Sequence, residues 1–269
     1  MKGDLVCLDG NITEFGKAIA DPDALLSANF IYQKIHVLGR TPLQAAWHAE
    51  IAGMSYNALY GQQAGISHEM LEQEVRALLD ANRYPQASTL VTLYLIPSEN
   101  GTPTRLLSCE KQLLYKGYAM WHTGLKCDVI PYEYPFAQHK TAISLAAHTY
   151  AADYARRNGF DAAIAENNAG IVTGLGENPL FASMRNTVVT TPIDDGAADS
   201  VERRLCIAVC ENCGFDVAEH PIEAARLHDF EELFTITPQG ITSVQTAGGR
   251  LLPHSLAKNI ASHMKKHSL

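Results

Sequence analysis

No stretch of this 269-residue chain approaches the roughly 20 apolar residues that a membrane-spanning helix needs, although 46% of it is hydrophobic. Charged residues make up only 19%, with no long like-charge block and no low-complexity tract. That composition argues against extended disorder. Net charge is −8 and the sequence pI about 5.7. Such a surface repels phosphate backbones, so nucleic acid is not an expected partner. Metal motifs are missing too. The 11 histidines form no HExxH. Cys206, Cys210 and Cys213 in CIAVCENC have no second Cys/His pair at matching spacing. They read as buried free thiols on an amphipathic helix. GLGEN contains no GxGxxG, so a dinucleotide-binding loop has no support. The opening MKGDLVCLDGNITEF has no apolar core of signal-peptide length, and Asp4 interrupts it early. A cytoplasmic location is therefore expected.

What is present suffices for a sizeable core in one large or two smaller domains. LVCLDGNITEF places apolar residues on both sides of Asp9-Gly10, a hairpin signal. Asn29 to Val37 reads as a strand. A helix is expected from Thr41, with Pro42 at its first position and Gln44 completing a capping box. A second helix starts near Ser67, and Ser88 to Ile96 is a strand, followed by the turn SENGTP and a strand leading to Cys109. Leu125 to His139, with Pro131 and Pro135 and little periodicity, reads as a connection. A helix follows from Thr141 to Asn158, stopped by Gly159. FDAAIAE with GIVT, and LFASM with TVVTT, read as two strand pairs. Asp199 is placed to cap a helix that ends at Gly214; LFTIT and ITSVQTA are late strands, and LLPHSLAKNIASHMKKH is a closing helix.

Lys140 opens the stretch KTAISLAAHTYAADYARRNGFDAAIAENNAGIVTGLGENPLF. Its order of features resembles the class IV aminotransferases: a lysine, a helix, PLF where the family has NLF, then TTP (Thr190 to Pro192), a helix containing Arg204, and FTITPQGITSV. The convincing match covers about Lys140 to Gly249; FIYQKI and LQAAWHAEIAG resemble the family's earlier elements more weakly. The resemblance implies an α+β fold of two domains, a smaller N-terminal α/β sandwich and a larger C-terminal mixed or pseudo-barrel domain. Residues 1–125 would form the first, 126–139 the connection and 140–269 the cofactor-type domain. It also implies pyridoxal phosphate (PLP) as cofactor, a small amino acid or keto acid as substrate, and a homodimer. The family includes branched-chain and D-amino-acid transaminases and aminodeoxychorismate lyase, and this chain is close to none of them.

On this resemblance Lys140 is the Schiff-base lysine and proton carrier. Thr237 falls where the family binds phosphate with a threonine. Ser200, Arg203 and Arg204 belong to SVERR, which matches the family's phosphate-binding turn and helix start. Other anchors are absent. The pyridine-nitrogen acid falls at Gly174, leaving Thr173 beside the ring, with Glu177 a loop carboxylate one turn on. The phosphate arginine falls at Ile51, three residues after His48, and Glu202 stands where a carboxylate opposes phosphate. His48 reads otherwise as a helix-face histidine and Tyr32 as a strand tyrosine. Two functions therefore stand side by side. One is a divergent PLP-dependent aminotransferase or lyase. The other is the same fold without the cofactor, serving as a binding protein or a non-PLP enzyme.

Overall fold

The computed structural model describes residues 5–18, 28–99 and 101–267, except the side chains of 265–267. Asp4, which interrupts the opening segment, lies outside them. Contacts divide the chain into two compact units, Met1–Gly117 and Tyr118–Leu269.

The first unit begins with the expected hairpin, β1 (Leu5–Leu8) and β2 (Asn11–Glu14). Asp9 and Gly10 both take positive φ, 47° and 83°, as a tight two-residue turn demands. A short helix α1 (Phe15–Ala18) follows, then β3 (Ile31–Leu38) and β4 (Thr41–Pro42). Next come α2 (Ala45–Tyr60), α3 (His68–Ala81), β5 (Ser88–Ile96) and β6 (Thr104–Gln112). The strands form one six-stranded sheet in the order β2-β1-β6-β5-β3-β4. Helix α3 is capped by Ser67 and buries Leu71, Val75, Leu78 and Leu79, a single stripe at helical spacing. That stripe joins Ile31, Ile35, Val37, Val91, Leu93 and Leu107 of the sheet in one core.

One expected boundary is corrected. Thr41 and Pro42 pair with Leu38 and Val37 as a strand, and α2 starts three residues later. Its N-cap is Gln44 in a left-handed conformation, φ 56°, with no side-chain cap bond. The Thr41 capping box does not form, because the sheet edge claims its backbone first.

The second unit holds β7 (Met120–Pro131), α4 (Ala142–Arg157), β8 (Ala162–Glu166) and β9 (Val172–Leu175). It continues with β10 (Leu180–Met184), β11 (Thr187–Thr190), α5 (Val201–Asn212) and β12 (Asp216–Glu219). It ends with β13 (Glu232–Thr237), β14 (Gly240–Ala247), β15 (Arg250–Leu251) and α6 (Ser255–His267). The nine strands make a mixed sheet, a curled half-barrel, in the order β12-β11-β10-β13-β14-β7-β8-β9, with β15 on β14. The α+β class expected from the sequence holds. The division between units follows Gly117, and β7 runs through Leu125–Pro131, so the first part of the expected connection belongs to this sheet.

Strand β7 pairs in parallel with both β14 and β8. Helix α4 is the crossover from β7 to β8. Ala151 and Ala155 on its inner face are buried and pack with Ile130 and Ala163. Small side chains let the helix approach the sheet closely. The crossover leaves the carboxyl end of β7 facing the N-terminus of α4, the place where open parallel sheets bind ligands. Lys140 lies in that turn.

Candidate active site

Lys140 is immobilised by its neighbours. Thr141 caps α4 by accepting the Ser144 N–H at 3.3 Å, while Ser144 Oγ accepts the Thr141 N–H at 2.8 Å. This capping box fixes the backbone next to Lys140. One residue further back on the other side, the His139 N–H bonds the Phe136 carbonyl at 2.9 Å, and the Asp199 N–H bonds the Gln138 carbonyl at 3.0 Å. The second bond ties the lysine turn to the entry of α5.

The lysine is 5% exposed, and its Nζ lies 3.6 Å from Oε2 of Glu202, itself 1% exposed. That separation is an ion pair rather than a direct hydrogen bond. The other oxygen, Glu202 Oε1, is buried and has no hydrogen-bond partner among the described residues. Tyr118 is also buried, and burial together with the Glu202 charge raises its phenol well above the ordinary range. An amine, a carboxylate and a neutral phenol thus gather beneath the first turn of α5. Tyr118 carries no sequence signal of this role, since nothing near it shows that it will meet Glu202.

Ser200, rather than Asp199, caps α5: its Oγ accepts the Arg203 N–H at 3.1 Å. Asp199 instead receives both arms of Arg204, Nε at 3.0 Å and Nη2 at 2.7 Å. Arg203 is buried and donates from Nη2 to the Thr191 carbonyl at 3.0 Å and to Glu219 at 2.6 Å. Its Nε is buried without a hydrogen-bond partner among the described residues. Thr237 closes the β13–β14 turn by accepting the Gln239 N–H at 3.2 Å, with its hydroxyl 3.3 Å from the Gly240 carbonyl.

Gly174 is a contact-limited position. A Cβ there would stand 2.8 Å from the carbonyl oxygen of Asn178, so no acidic side chain is accommodated without moving that backbone. Thr173, its neighbour on β9, lines a cavity of about 330 Å3 with Tyr132, Tyr134, Gln138, Asp195 and Gly196. Glu177 is half-buried in the turn after β9. In the first unit Ile51 and Tyr32 are buried, and His48 is buried with Nδ1 at 3.2 Å from Gln33 Oε1.

A further cluster has no counterpart in the sequence reading. The hydroxyls of Tyr132 and Tyr134 each lie 3.0 Å from one nitrogen of His148. Both rings meet the imidazole edge-on, and burial pushes both phenols up. The i, i+2 spacing in YEY was the available signal. It puts both rings on one side of an extended segment.

Comparison with known proteins bears on this geometry. Residues 40–246 match the family described as amino-transferase class IV, more than half of the chain. The chain belongs to the class IV aminotransferase family. Its family and fold make this member a PLP-dependent transferase enzyme. No curated protein sequence matches it at a significant level. Among solved structures it is similar to a branched-chain aminotransferase from Thermoproteus uzoniensis, with TM-score 0.84, 19% identity and coverage of 98% of this chain and 94% of that one. It is similar also to the Escherichia coli branched-chain aminotransferase, with TM-score 0.81, 17% identity and coverage of 96% and 92%. A hypothetical aminotransferase from Mycobacterium tuberculosis gives TM-score 0.82, 16% identity and coverage of 98% of both chains. At these identities the likeness is one of fold.

The family's cofactor fits the aldehyde end of this site: Lys140 is a buried amine held between the carboxyl end of β7 and a helix N-terminus. For an anionic group the available features are the first turn of α5, with its orphan N–H groups, and the unsatisfied Arg203 Nε. One feature opposes an anion there, the Glu202 carboxylate.

Proposed function

We propose that this protein is a PLP-dependent aminotransferase or lyase acting on a small amino acid, with Lys140 as the residue that holds the cofactor. The observation that carries the reading is the burial of Lys140. Lysines are almost never fully buried unless paired. This one stands in the turn between a parallel strand and its crossover helix, facing a buried carboxylate.

When bound, the cofactor supplies an electron sink for charge developing at the substrate Cα. The chain's residues do the rest. Lys140 Nζ takes and returns the Cα proton, a task for which its fixed turn keeps it in place. Glu202 sets the charge beside that nitrogen. Ser200 holds the first turn of α5 in helical form, and Arg203, Arg204 and Thr237 fix the loops around it. Thr173 would be the residue beside the ring nitrogen, and a hydroxyl there in place of a carboxylate would supply an unprotonated ring and a weaker sink. A small amino acid or keto acid as partner, a cytoplasmic location and a homodimer belong to the same reading.

The test is amino transfer from a panel of small amino acids to a keto acid, with added PLP, in wild type and Lys140→Ala. Turnover present in wild type and lost at least 1,000-fold in the variant is the expected result, the scale at which removal of an essential covalent residue acts. Equal rates in the two proteins would refute it.

A further inference from the structure

We infer that Glu202 acts as a charge filter on Lys140, weakening carbonyl ligands that carry a phosphate and favouring uncharged ones. This rests on the reading of Lys140 as the carbonyl-binding residue.

Helix α5 is 12 residues long and its N-terminal turn is buried. Such a terminus attracts an anion through its orphan N–H groups and dipole. Here the chain supplies its own anion. Glu202 lies in that first turn at 1% exposure, its Oε2 3.6 Å from Lys140 Nζ and its Oε1 unpartnered. The neighbouring cations are already matched, Arg204 by Asp199 and Arg203 by Glu219. The positive charge around Lys140 is therefore balanced before any ligand arrives. A phosphate brought to this turn meets a carboxylate while the guanidinium charges of Arg203 and Arg204 already have carboxylate partners, which leaves only the Arg203 Nε N–H as an open cationic donor among the described residues, and burial keeps solvent from screening phosphate and carboxylate. An aldehyde without a phosphate meets no such opposition.

The covalent step is the same for both ligands. The ion-paired ammonium first releases one proton to solvent; the Nζ lone pair then attacks the carbonyl carbon, a C=N bond replaces C=O, and the oxygen leaves as water with the two remaining amine protons. Borohydride then delivers hydride to that carbon while solvent protonates the nitrogen, fixing the adduct.

The experiment compares PLP with pyridoxal, which lacks the phosphate and whose constants are referred to its free-aldehyde fraction, because its 5'-hydroxyl closes onto the aldehyde as a hemiacetal in water. Their dissociation constants are measured by absorbance for wild type and Glu202→Gln, and adducts are mapped after borohydride. Loss of the Glu202 charge also alters the reactivity of Lys140, but equally for both aldehydes, so the ratio of the two constants isolates the phosphate. Two results are expected. In wild type PLP binds no more than about tenfold tighter than pyridoxal, and in Glu202→Gln the preference for PLP rises at least tenfold. The wild-type ratio stands by itself if the variant does not fold. A wild-type preference for PLP above 1,000-fold, or an unchanged ratio in the variant, overturns the filter while leaving Lys140 as the carbonyl-binding residue. Absence of a Lys140 adduct with either aldehyde in either protein overturns both.

Discussion

At the scale of single residues, the centre of the account is one buried ion pair. Lys140 and Glu202 are each withdrawn from water, and each makes the other tolerable. Lys140→Met leaves a buried carboxylate unpaired and is expected to destabilise by about 3–5 kcal/mol. The double variant Lys140→Met/Glu202→Met regains most of that loss, because neither charge is left behind. Urea unfolding midpoints of the three proteins measure this; equal midpoints for wild type and the single variant would contradict it. Lys140 stands just before a helix, and that placement was legible as a pattern along the chain. Its pairing with Glu202 was not, since 62 positions separate them and only the fold brings them together. Gly174 gives the same lesson. The sequence showed a missing acid, while the reason is the Asn178 carbonyl, 2.8 Å from where a Cβ would be. Gly174→Ala is therefore expected to destabilise by about 1–3 kcal/mol through overpacking, measured by the same unfolding assay.

At the scale of elements, strands and helices with strong local signals formed where the chain announced them. Examples are α3 behind Ser67, α4 between Thr141 and Gly159, and the Asp9-Gly10 hairpin. Misplaced starts arose where two neighbouring polar residues competed for one job. At α5 both Asp199 and Ser200 are good caps. Ser200 takes the Arg203 N–H, and Asp199 is drawn to the Arg204 guanidinium. At α2 the sheet edge claimed Thr41. The two roles at α5 separate experimentally. Ser200→Ala is expected to lower stability by about 1 kcal/mol through the lost cap. Asp199→Ala removes a part-buried, two-armed ion pair with Arg204 rather than a cap, so its loss in thermal unfolding is expected to shrink at high salt, whereas the Ser200→Ala loss stays. A salt-dependent Ser200→Ala loss with a salt-independent Asp199→Ala loss would reverse the assignment.

At the scale of the whole molecule, the same burial that forms the cores of the two units governs its thiols and its acid response. Cys7, Cys109, Cys127, Cys206 and Cys210 are buried, and Cys213 is partly exposed. Burial pushes Cys7 and Cys109 up to about 11 and Cys127 to about 12. A thiol-specific chromogenic reagent at neutral pH should therefore titrate one group, Cys213, in the folded protein and all 6 cysteines once it is unfolded. Fast reaction of Cys206 or Cys210 would contradict the packing of α5. The acid limb concerns His139. Burial lowers its imidazole below the ordinary range, with Asp199 opposing. The unfolded chain, with its imidazole near 6.5, then binds the proton first as pH falls. Stability is full above about that pH and declines below it. His139→Gln should flatten this slope in denaturant midpoints taken between pH 7 and 5, and an unchanged slope would exclude His139 as its source.

The central proposal is that the ε-amine of Lys140 is the covalent centre of this enzyme. The most direct measurement incubates the purified protein with PLP, adds borohydride, and maps the modified peptide by mass. The account predicts a yellow protein before reduction and a single fixed adduct on Lys140 after it, lost in Lys140→Ala. A colourless protein with no adduct, or one whose adduct lies on another lysine, would contradict it.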